Sequence, residues 1–354
     1  MAKNTVSIIV NDDMVKEFKD TCIKWDPILQ QLPIRKAQDV LQHFVTVTGL
    51  RGKRRFGSIS GNSQFAPFRK DRKSEADVNI NYREIETFHG NVVETFAPVD
   101  YIDMPFAYDD PVITDAIKRA GSTLMVLAQL VAARGQYIAQ AAFTGKRNPE
   151  GNTTEDLCDG LLTIIAQEIA AGNLSEGLNR QGNLYVAPEL PTNDNAVDLA
   201  KDILFSSNPF LRRENNVLLC STDFVDKYNE AYLTTHATVN YNTQYDQPYV
   251  EGSHKKLTLI GLPELDGQDQ FIMTQKSNLL CGIYNANDQT TVDIKREGHY
   301  DLSMASDMWL GFQFRTLDPR RLRVIDFSNV SSKPSSPSTG EVQSKENTDP
   351  GTVE

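Results

Sequence analysis

The chain has 354 residues, of which 40% are hydrophobic and 23% charged, and its formal net charge is −11. This composition is that of an ordinary soluble globular protein, long enough for one large domain or two to three smaller ones. The negative charge argues against a protein whose main task is to grip nucleic acid. The sequence has neither a long apolar run nor a signal-peptide core, which predicts no membrane span and assembly in the cytoplasm of the producing cell.

The first fifty residues predict an N-terminal arm with little core of its own. Val6–Val10 has the pattern of a short strand, and apolar residues recur at helical spacing over Ile34–Phe44. Residues 51–73 are basic and rich in Gly and Ser, with phenylalanines between the basic side chains. That mixture can bind single-stranded nucleic acid, but a solvated loop or a contact with acidic neighbours is the favoured interpretation.

Two segments of alternating character follow, Val78–Phe88 and Val92–Phe96. They are separated by His89, Gly90 and Asn91, which favour a tight turn. The pattern predicts a hairpin about 30 Å long, at roughly 3.3 Å per residue. An isolated two-stranded ribbon is marginally stable in water. Another part of the structure, or another subunit, must therefore pack against the hairpin.

Asp109, Asp110 and Pro111 predict a helix start, because a carboxylate N-cap is followed by proline at the first helical position. Apolar residues then recur at helical spacing as far as Ile138, which predicts one helix of about 50 Å. This helix is expected to end near Gly145. A helix of that length typically serves as the backbone of a domain.

Capping signals and periodicity predict further helices and strands in mixed order, and therefore an α+β protein. The predicted helices span residues 153–171, 195–205 and 222–233, and the predicted strands span residues 217–220, 257–261, 270–274, 279–284, 291–296, 308–317 and 322–327. Residues 234–253 are polar and predict a long loop. Residues 329–354 are rich in Ser, Pro and Glu and predict a disordered tail, because they cannot bury enough apolar surface to become ordered.

The sequence predicts no catalytic, cofactor-binding or metal site. The five histidines and four cysteines lack paired metal-ligand spacing, and the cysteines are expected to be reduced and mostly buried. In residues 57–61 neither serine occupies the central position of the G-x-S-x-G motif, so a hydrolase nucleophile is not predicted. Residues 144–146 resemble the end of a phosphate-binding loop but lack its upstream glycine, so a nucleotide site is not predicted. A soluble enzyme that assembles scattered residues, such as His254, Asp266 and Ser277, is the alternative of another class.

Four local segments carry a family resemblance: the run Met273–Gly282, the pair Asp293–Ile294, the aromatic strand Trp309–Phe314 and the strand Arg323–Ile325. Together with the order of the parts, they resemble the major capsid proteins of tailed bacteriophages with the Hong Kong 97-type fold. The resemblance covers roughly residues 75–327. It implies an α+β fold with an N-terminal arm, an extended E-loop hairpin, a P-domain with a long spine helix, and an A-domain.

The resemblance also implies a division of the chain and an interface. The parts would be an N-terminal arm at residues 1–50, a basic loop and E-loop hairpin at 51–108, a P-domain with its spine helix at 109–172, mainly A-domain at 173–290, P-domain return strands at 291–328 and the tail at 329–354. The hairpin would reach over a neighbouring subunit. Its implied interface residues are Tyr82, Glu84, Glu86, His89, Val92 and Glu94.

The function implied by the resemblance is that of a major capsid protein, not an enzyme, that works without cofactors. It would self-assemble into hexamers and pentamers of the icosahedral head that encloses the phage genome. The implied partners are further copies of the chain, portal and scaffolding proteins, and packaged double-stranded DNA bound without sequence specificity, and the implied location is the virion. An encapsulin-like nanocompartment shell protein is the alternative with the same fold.

Overall fold

The computed structural model describes residues 12–61, 67–70, 78–97, 122–177, 180–235, 248–284 and 292–331. The helices are α1 (Asp12–Lys36), α2 (Gln38–Leu41), α3 (Ser122–Thr144), α4 (Leu161–Ala170), α5 (Ala196–Ser206), α6 (Pro209–Arg213), α7 (Thr222–Thr235) and α8 (Ser328–Ser331). The strands are β1 (Val45–Thr48), β2 (Lys53–Gly61), β3 (Val78–Glu86), β4 (Phe88–Phe96), β5 (Leu184–Val186), β6 (Asn216–Cys220), β7 (Leu257–Gly261), β8 (Gln270–Thr274), β9 (Leu279–Ile283), β10 (Val292–Arg296), β11 (Leu302–Phe314) and β12 (Leu322–Asp326). Short 3₁₀ turns occupy Thr154–Asp156, Pro263–Leu265 and Lys276–Asn278. Over these ranges, no helix combines the length and the apolar character needed to cross a membrane.

The first sheet is built around β11, a strand of 13 residues. Strand β4 lies antiparallel along one edge of β11, from Leu302↔Phe96 to Leu310↔Phe88. The other edge carries β10 beside its first half and β9 beside its second half, and β1 extends β9 in parallel. Because β11 touches every other strand except β1, it organises this sheet.

The second sheet has the strand order β5-β12-β8-β6-β7. Helices α5 and α7 pack on one face. The other face packs against the first sheet, helix α4 and the C-terminal half of α3. Strands β6 and β12 are buried at every position because both faces of the sheet are covered. This double cover explains why residues 217–220 of β6 are a continuous apolar run.

Helix α1 packs along helix α3. Phe18, Cys22, Leu29 and Leu32 recur at helical spacing on α1 and are buried against α3, β4 and β11. The prediction of an arm with little core of its own is therefore wrong for this part of the chain, because 25 residues form a helix that closes a buried cluster. The predicted strand Val6–Val10 lies outside the described residues.

Most of the elements predicted after residue 190 are confirmed, since α5, α7 and the strands β6 to β10 and β12 lie within two residues of their predicted bounds. The predicted helix at 153–171 is correct only in its second half, α4. Gly160 separates it from the preceding 3₁₀ turn, and a Cβ there would lie 2.5 Å from Phe143 O. All four cysteines are free and buried, as predicted.

Several predictions fall wholly or partly outside the described residues. These are the helix start at Asp109–Pro111, most of the polar loop 234–253 and most of the tail 329–354. The described part of the long helix ends at Thr144, which confirms its predicted end near Gly145. The implied division into domains stays a prediction.

The predicted hairpin between Val78–Phe88 and Val92–Phe96 is wrong. Strand β3 pairs with β2, whereas β4 pairs with β11. Gly90 lies inside β4, where an added Cβ would meet Leu157 Cδ1 at 2.8 Å. This glycine marks a close approach between strand and loop, and not a turn. The chain changes partners at Thr87, between the two strands.

The basic segment 51–73 is also not a loop throughout, because Lys53–Gly61 forms strand β2. Its cations face carboxylates on β3: Lys53 Nζ lies 3.2 Å from Glu86 Oε2, and Arg55 Nε lies 2.5 Å from Glu84 Oε1. Opposite charges directly across a sheet stabilise strand pairing. For Lys53 and Arg55 this confirms the predicted contact with acidic neighbours, whereas the alternative of a solvated loop is wrong for this strand.

We expect Asn278→Ala to lower the free energy of unfolding by about 2–3 kcal/mol. The buried Asn278 amide donates to Thr274 Oγ1 and Thr316 O at 3.1 Å each, and its Oδ1 accepts the Thr316 N–H at 2.9 Å. Removing it takes away the side-chain partner of the partly buried N–H and C=O groups of Thr316. Urea unfolding of the unassembled chain measures the loss, with the exposed Asn193→Ala as control. Equal midpoints for the two variants would contradict this account.

Candidate assembly interface

Strands β2 and β3 form a two-stranded antiparallel ribbon, from Lys53↔Glu86 to Gly61↔Val78. Neither strand joins another sheet within the described ranges, so the outer edges of the ribbon present backbone groups that no further strand pairs with. At roughly 3.3 Å per residue, nine residues extend about 30 Å. A ribbon of this kind is marginal in water unless something packs on it.

One face of the ribbon carries exposed apolar side chains. Ile80 and Tyr82 are 43% and 64% exposed, and they share this face with Glu84 and Glu86 because strand side chains alternate. Opposite Tyr82 lies Gly57, which leaves the aromatic ring uncovered by a cross-strand side chain. Three of the predicted interface residues, Tyr82, Glu84 and Glu86, thus lie together on this face. They offer a partner an aromatic ring beside two carboxylates that are ion-paired with Lys53 and Arg55.

Residues 83–87, which we call the ribbon root, connect the ribbon to the two larger sheets and their helices, which we call the body. The first contacts of the root are those of Thr87. The Thr87 N–H donates to Gly52 O at 2.9 Å, and its hydroxyl donates to Leu50 O at 3.0 Å while accepting the Gly52 N–H at 3.1 Å. Next to it, a Cβ on Gly311 of β11 would lie 2.0 Å from Glu86 O. The backbone of the ribbon root therefore rests directly on β11, with no room for a side chain between them.

Arg83 ties the ribbon to two further elements of the body. Its Nη2 donates to Glu168 Oε1 of α4 at 2.8 Å and to Gln313 Oε1 of β11 at 2.9 Å, and its Nε donates to Phe314 O at 3.1 Å. The Gln313 amide in turn donates to Glu84 O at 3.2 Å. Because these bonds reach both α4 and β11, they fix the direction in which the ribbon leaves the rest of the chain.

We expect the ion pair between Arg83 and Glu168 to show a coupling energy of about 1–2 kcal/mol in a double-mutant cycle with Arg83→Met and Glu168→Ala. Both side chains are mostly buried, at 19% and 17% exposure, so water screens the pair weakly. Urea unfolding of the four proteins gives the coupling energy. The exposed pair Lys53 and Glu86 on the same ribbon is the matched control, with an expected coupling below about 1 kcal/mol. Equal coupling energies at the two pairs would contradict the claim that the Arg83–Glu168 pair holds the ribbon in place.

The other three predicted interface residues lie in β4 and not on the ribbon. His89 stacks on Trp309 with ring centroids 4.9 Å apart, and its Nε2 lies 2.9 Å from Asp307 Oδ2. Val92 is half-buried, and Glu94 forms an ion pair with Arg134. The six predicted residues therefore form two groups, one on the ribbon and one within the first sheet.

A cavity of about 450 Å³ lies under β4 and β11, beside α1 and α3. In its wall, Arg134 Nη2 of α3 binds Glu94 Oε2 of β4 at 2.8 Å, and Nη1 of the same arginine donates to Ser306 of β11. These contacts join the helix to the sheet. Arg134 is therefore part of the packing between α3 and the first sheet.

The residues considered for a non-motif enzyme site have separate positions. Asp266 accepts the Thr222 N–H at 2.7 Å and so caps α7, while His254 and Ser277 are exposed in different turns. Burial raises the pKa of the Cys158 thiol to about 12, which makes it a poor nucleophile at neutral pH. In the part of the chain that the structure describes, no group of three His, Cys, Asp or Glu is arranged to hold a metal.

Comparison with known proteins gives its result at the level of structure. A chain of the satellite phage P4 procapsid matches with a TM-score of 0.51 and 12% identity, over 84% of this chain and 90% of that one. A chain of the capsid of an empty GTA particle matches with a TM-score of 0.50 and 11% identity, over 82% and 90% of the two chains. Neither a protein-family model nor a curated protein sequence matches this chain. The chain therefore has the α+β fold of these capsid chains, which confirms the predicted fold class.

Proposed function

We propose that this chain is the major capsid protein of a tailed bacteriophage, and that it self-assembles into the hexamers and pentamers of an icosahedral head. One observation supports this most directly: a body with the fold of capsid chains holds an uncovered two-stranded ribbon in a fixed direction. A second copy of the chain can cover the ribbon. Each subunit then stabilises its neighbour, which couples folding of the ribbon to assembly.

The contact would be heterologous, because the ribbon of one copy meets a different surface on the next. Repetition of such a contact closes a ring when the rotation between copies permits it. The ribbon root supports this geometry, since Arg83 and Thr87 hold the ribbon before any partner arrives. A ribbon that is already oriented loses less conformational entropy on binding than a free one.

The remaining parts of the proposal follow from the capsid role. The chain acts as a structural protein without catalysis, it is located in the virion after assembly in the host cytoplasm, and it encloses double-stranded DNA without reading its sequence. Portal and scaffolding proteins are the further proposed partners. The net charge of −11 is compatible with DNA that must slide along a container wall, because like charges do not adhere.

Negative-stain electron microscopy and sedimentation velocity of the purified full-length chain test the proposal. We expect shells, tubes or capsomer-sized rings. If shells form, what they contain distinguishes a phage head from an encapsulin-like compartment. The measurement is repeated after co-expression with a scaffolding protein from the same genome. A strictly monomeric or dimeric species in both cases, at all salt and protein concentrations, would overturn the proposal.

A further inference from the structure

A patch of arginine and phenylalanine side chains lies at one edge of the second sheet. Strands β6 and β12 both run antiparallel to β8, so their first residues lie at the same edge. Helix α6 directly precedes β6, and the turn before β12 brings in a further arginine. We define the patch as Phe205, Phe210, Arg212, Arg213, Lys256 and Arg320.

Direct contacts hold the patch together. The guanidinium of Arg212 lies 5.9 Å from the ring centroid of Phe205, and that of Arg320 lies 5.1 Å from the ring centroid of Phe210. Lys256 Nζ donates to the carbonyl oxygen on the same short helix, Arg213 O, at 2.6 Å. The cations are therefore placed by the fold and lose little freedom when a partner binds.

The two aromatic rings are largely uncovered. Phe205 is 44% exposed and Phe210 is 57% exposed, on a chain that buries most of its other phenylalanines within the described ranges. Arginine and aromatic side chains are enriched at the centres of protein–protein interfaces, where they account for most of the binding free energy. Phe205 and Phe210, each in contact with an arginine, therefore match the composition of an interface centre.

The charge of the patch indicates which kind of partner it binds. Two carboxylates lie beside it, Glu214 and Asp318, and Asp318 Oδ1 already accepts the Arg320 N–H at 2.9 Å. With four cations beside these two carboxylates the patch is basic, whereas the whole chain carries a net charge of −11. Another copy of the chain thus presents complementary charge.

Nucleic acid fits the patch less well. A DNA duplex would engage the arginines through phosphates but would leave both phenylalanine rings without partners, because its bases are stacked on each other. We propose that this patch docks onto an acidic surface of a second copy of the chain, as a contact between subunits separate from the ribbon. This inference rests on the proposed capsid function.

Carbodiimide cross-linking of assembled particles tests the contact. Particles are formed from equal amounts of ¹⁴N- and ¹⁵N-labelled full-length chain, and the reagent joins Lys256 to carboxylates within reach. We expect cross-linked peptides that combine the two isotopes, which prove contact between copies, and we expect them only in assembled material. Cross-links from Lys256 that never combine the isotopes would overturn the inference.

The double variant Phe210→Ser/Arg320→Gln gives a second readout. Both side chains are exposed, so the urea midpoint of the unassembled chain should not change, whereas assembly should require a roughly tenfold higher protein concentration or more. Lys295→Gln, an exposed cation on the first sheet, is the control and should assemble like wild type. Unchanged assembly of the double variant, or a loss of affinity for a DNA duplex with assembly unchanged, would overturn the inference.

The two proposals fail in different ways. Wild-type protein that forms no particles, alone or with its scaffolding protein, overturns the capsid function itself. Wild-type particles together with unaffected Phe210→Ser/Arg320→Gln particles overturn the patch contact alone.

Discussion

Assembly should be lost when the ribbon is shortened, while the body of the protein stays folded. Residues 58–81 are replaced by Asn-Gly, which joins Gly57 to its cross-strand partner Tyr82 through a two-residue turn. The root contacts of Arg83 and Thr87 remain. Gly57, residues 67–70 and residues 80–82 are exposed, so we expect the loss of this part to leave the core intact. We expect particles to fall below detection in electron microscopy and sedimentation velocity.

Circular dichroism and urea unfolding show whether the shortened chain is folded. The control is a deletion of residues 332–354, which is of nearly the same length and removes only the tail. We expect that truncated chain to assemble normally. If the shortened ribbon assembles as well as wild type, the ribbon is not an assembly element; if the shortened chain unfolds, the ribbon belongs to the core and the proposed division of roles is incorrect.

The largest loss of stability from a single methyl group is expected at Gly311→Ala. A Cβ there would lie 2.0 Å from the backbone oxygen of Glu86, so β11 and the ribbon root must separate. Backbone atoms cannot move aside as a flexible side chain can, and we expect a loss of about 4 kcal/mol or more. Soluble yield and urea unfolding measure it.

Gly298→Ala is the matched control for that substitution. It adds the same methyl group in the turn before β11, where the nearest atom would be Asp301 Oδ2 at 3.6 Å. We expect a change within about 0.5 kcal/mol. A Gly311→Ala protein as stable as the control would show that the root does not rest on β11 as closely as described.

The sequence predicts much of the fold where local patterns decide the structure. Strands β6 to β9 are short apolar runs bounded by turn residues, and α5 and α7 have clear apolar periodicity. Helix α1 was not predicted, because it contains Pro27 and Pro33, which disfavour helix interiors. Burial of one face against α3 outweighs this intrinsic preference.

The candidate interface could be predicted only in part, because many of the residues that contact each other there are far apart in the sequence. Alternation on β3 was sufficient to place Tyr82, Glu84 and Glu86 on one face, but it did not identify β2 as the partner strand. The root was missed entirely. Arg83 and Phe314 are 231 positions apart, and no local pattern records a contact of that separation. Gly311 carries no signal of its own, because the atom that requires it belongs to Glu86.

The way β3 passes into β4 determines how the body bears a mechanical load. The end of β3 still follows β11, since Glu84 O accepts from Gln313 and Arg83 donates to Phe314 O. A neighbour that pulls on the ribbon therefore draws β4 along its own axis, past β11. The hydrogen bonds of their nine-residue register are then loaded together in shear, instead of opening one after another from an end. In the proposed assembly, tension that reaches the ribbon would thus be borne by the whole length of the pairing between β4 and β11.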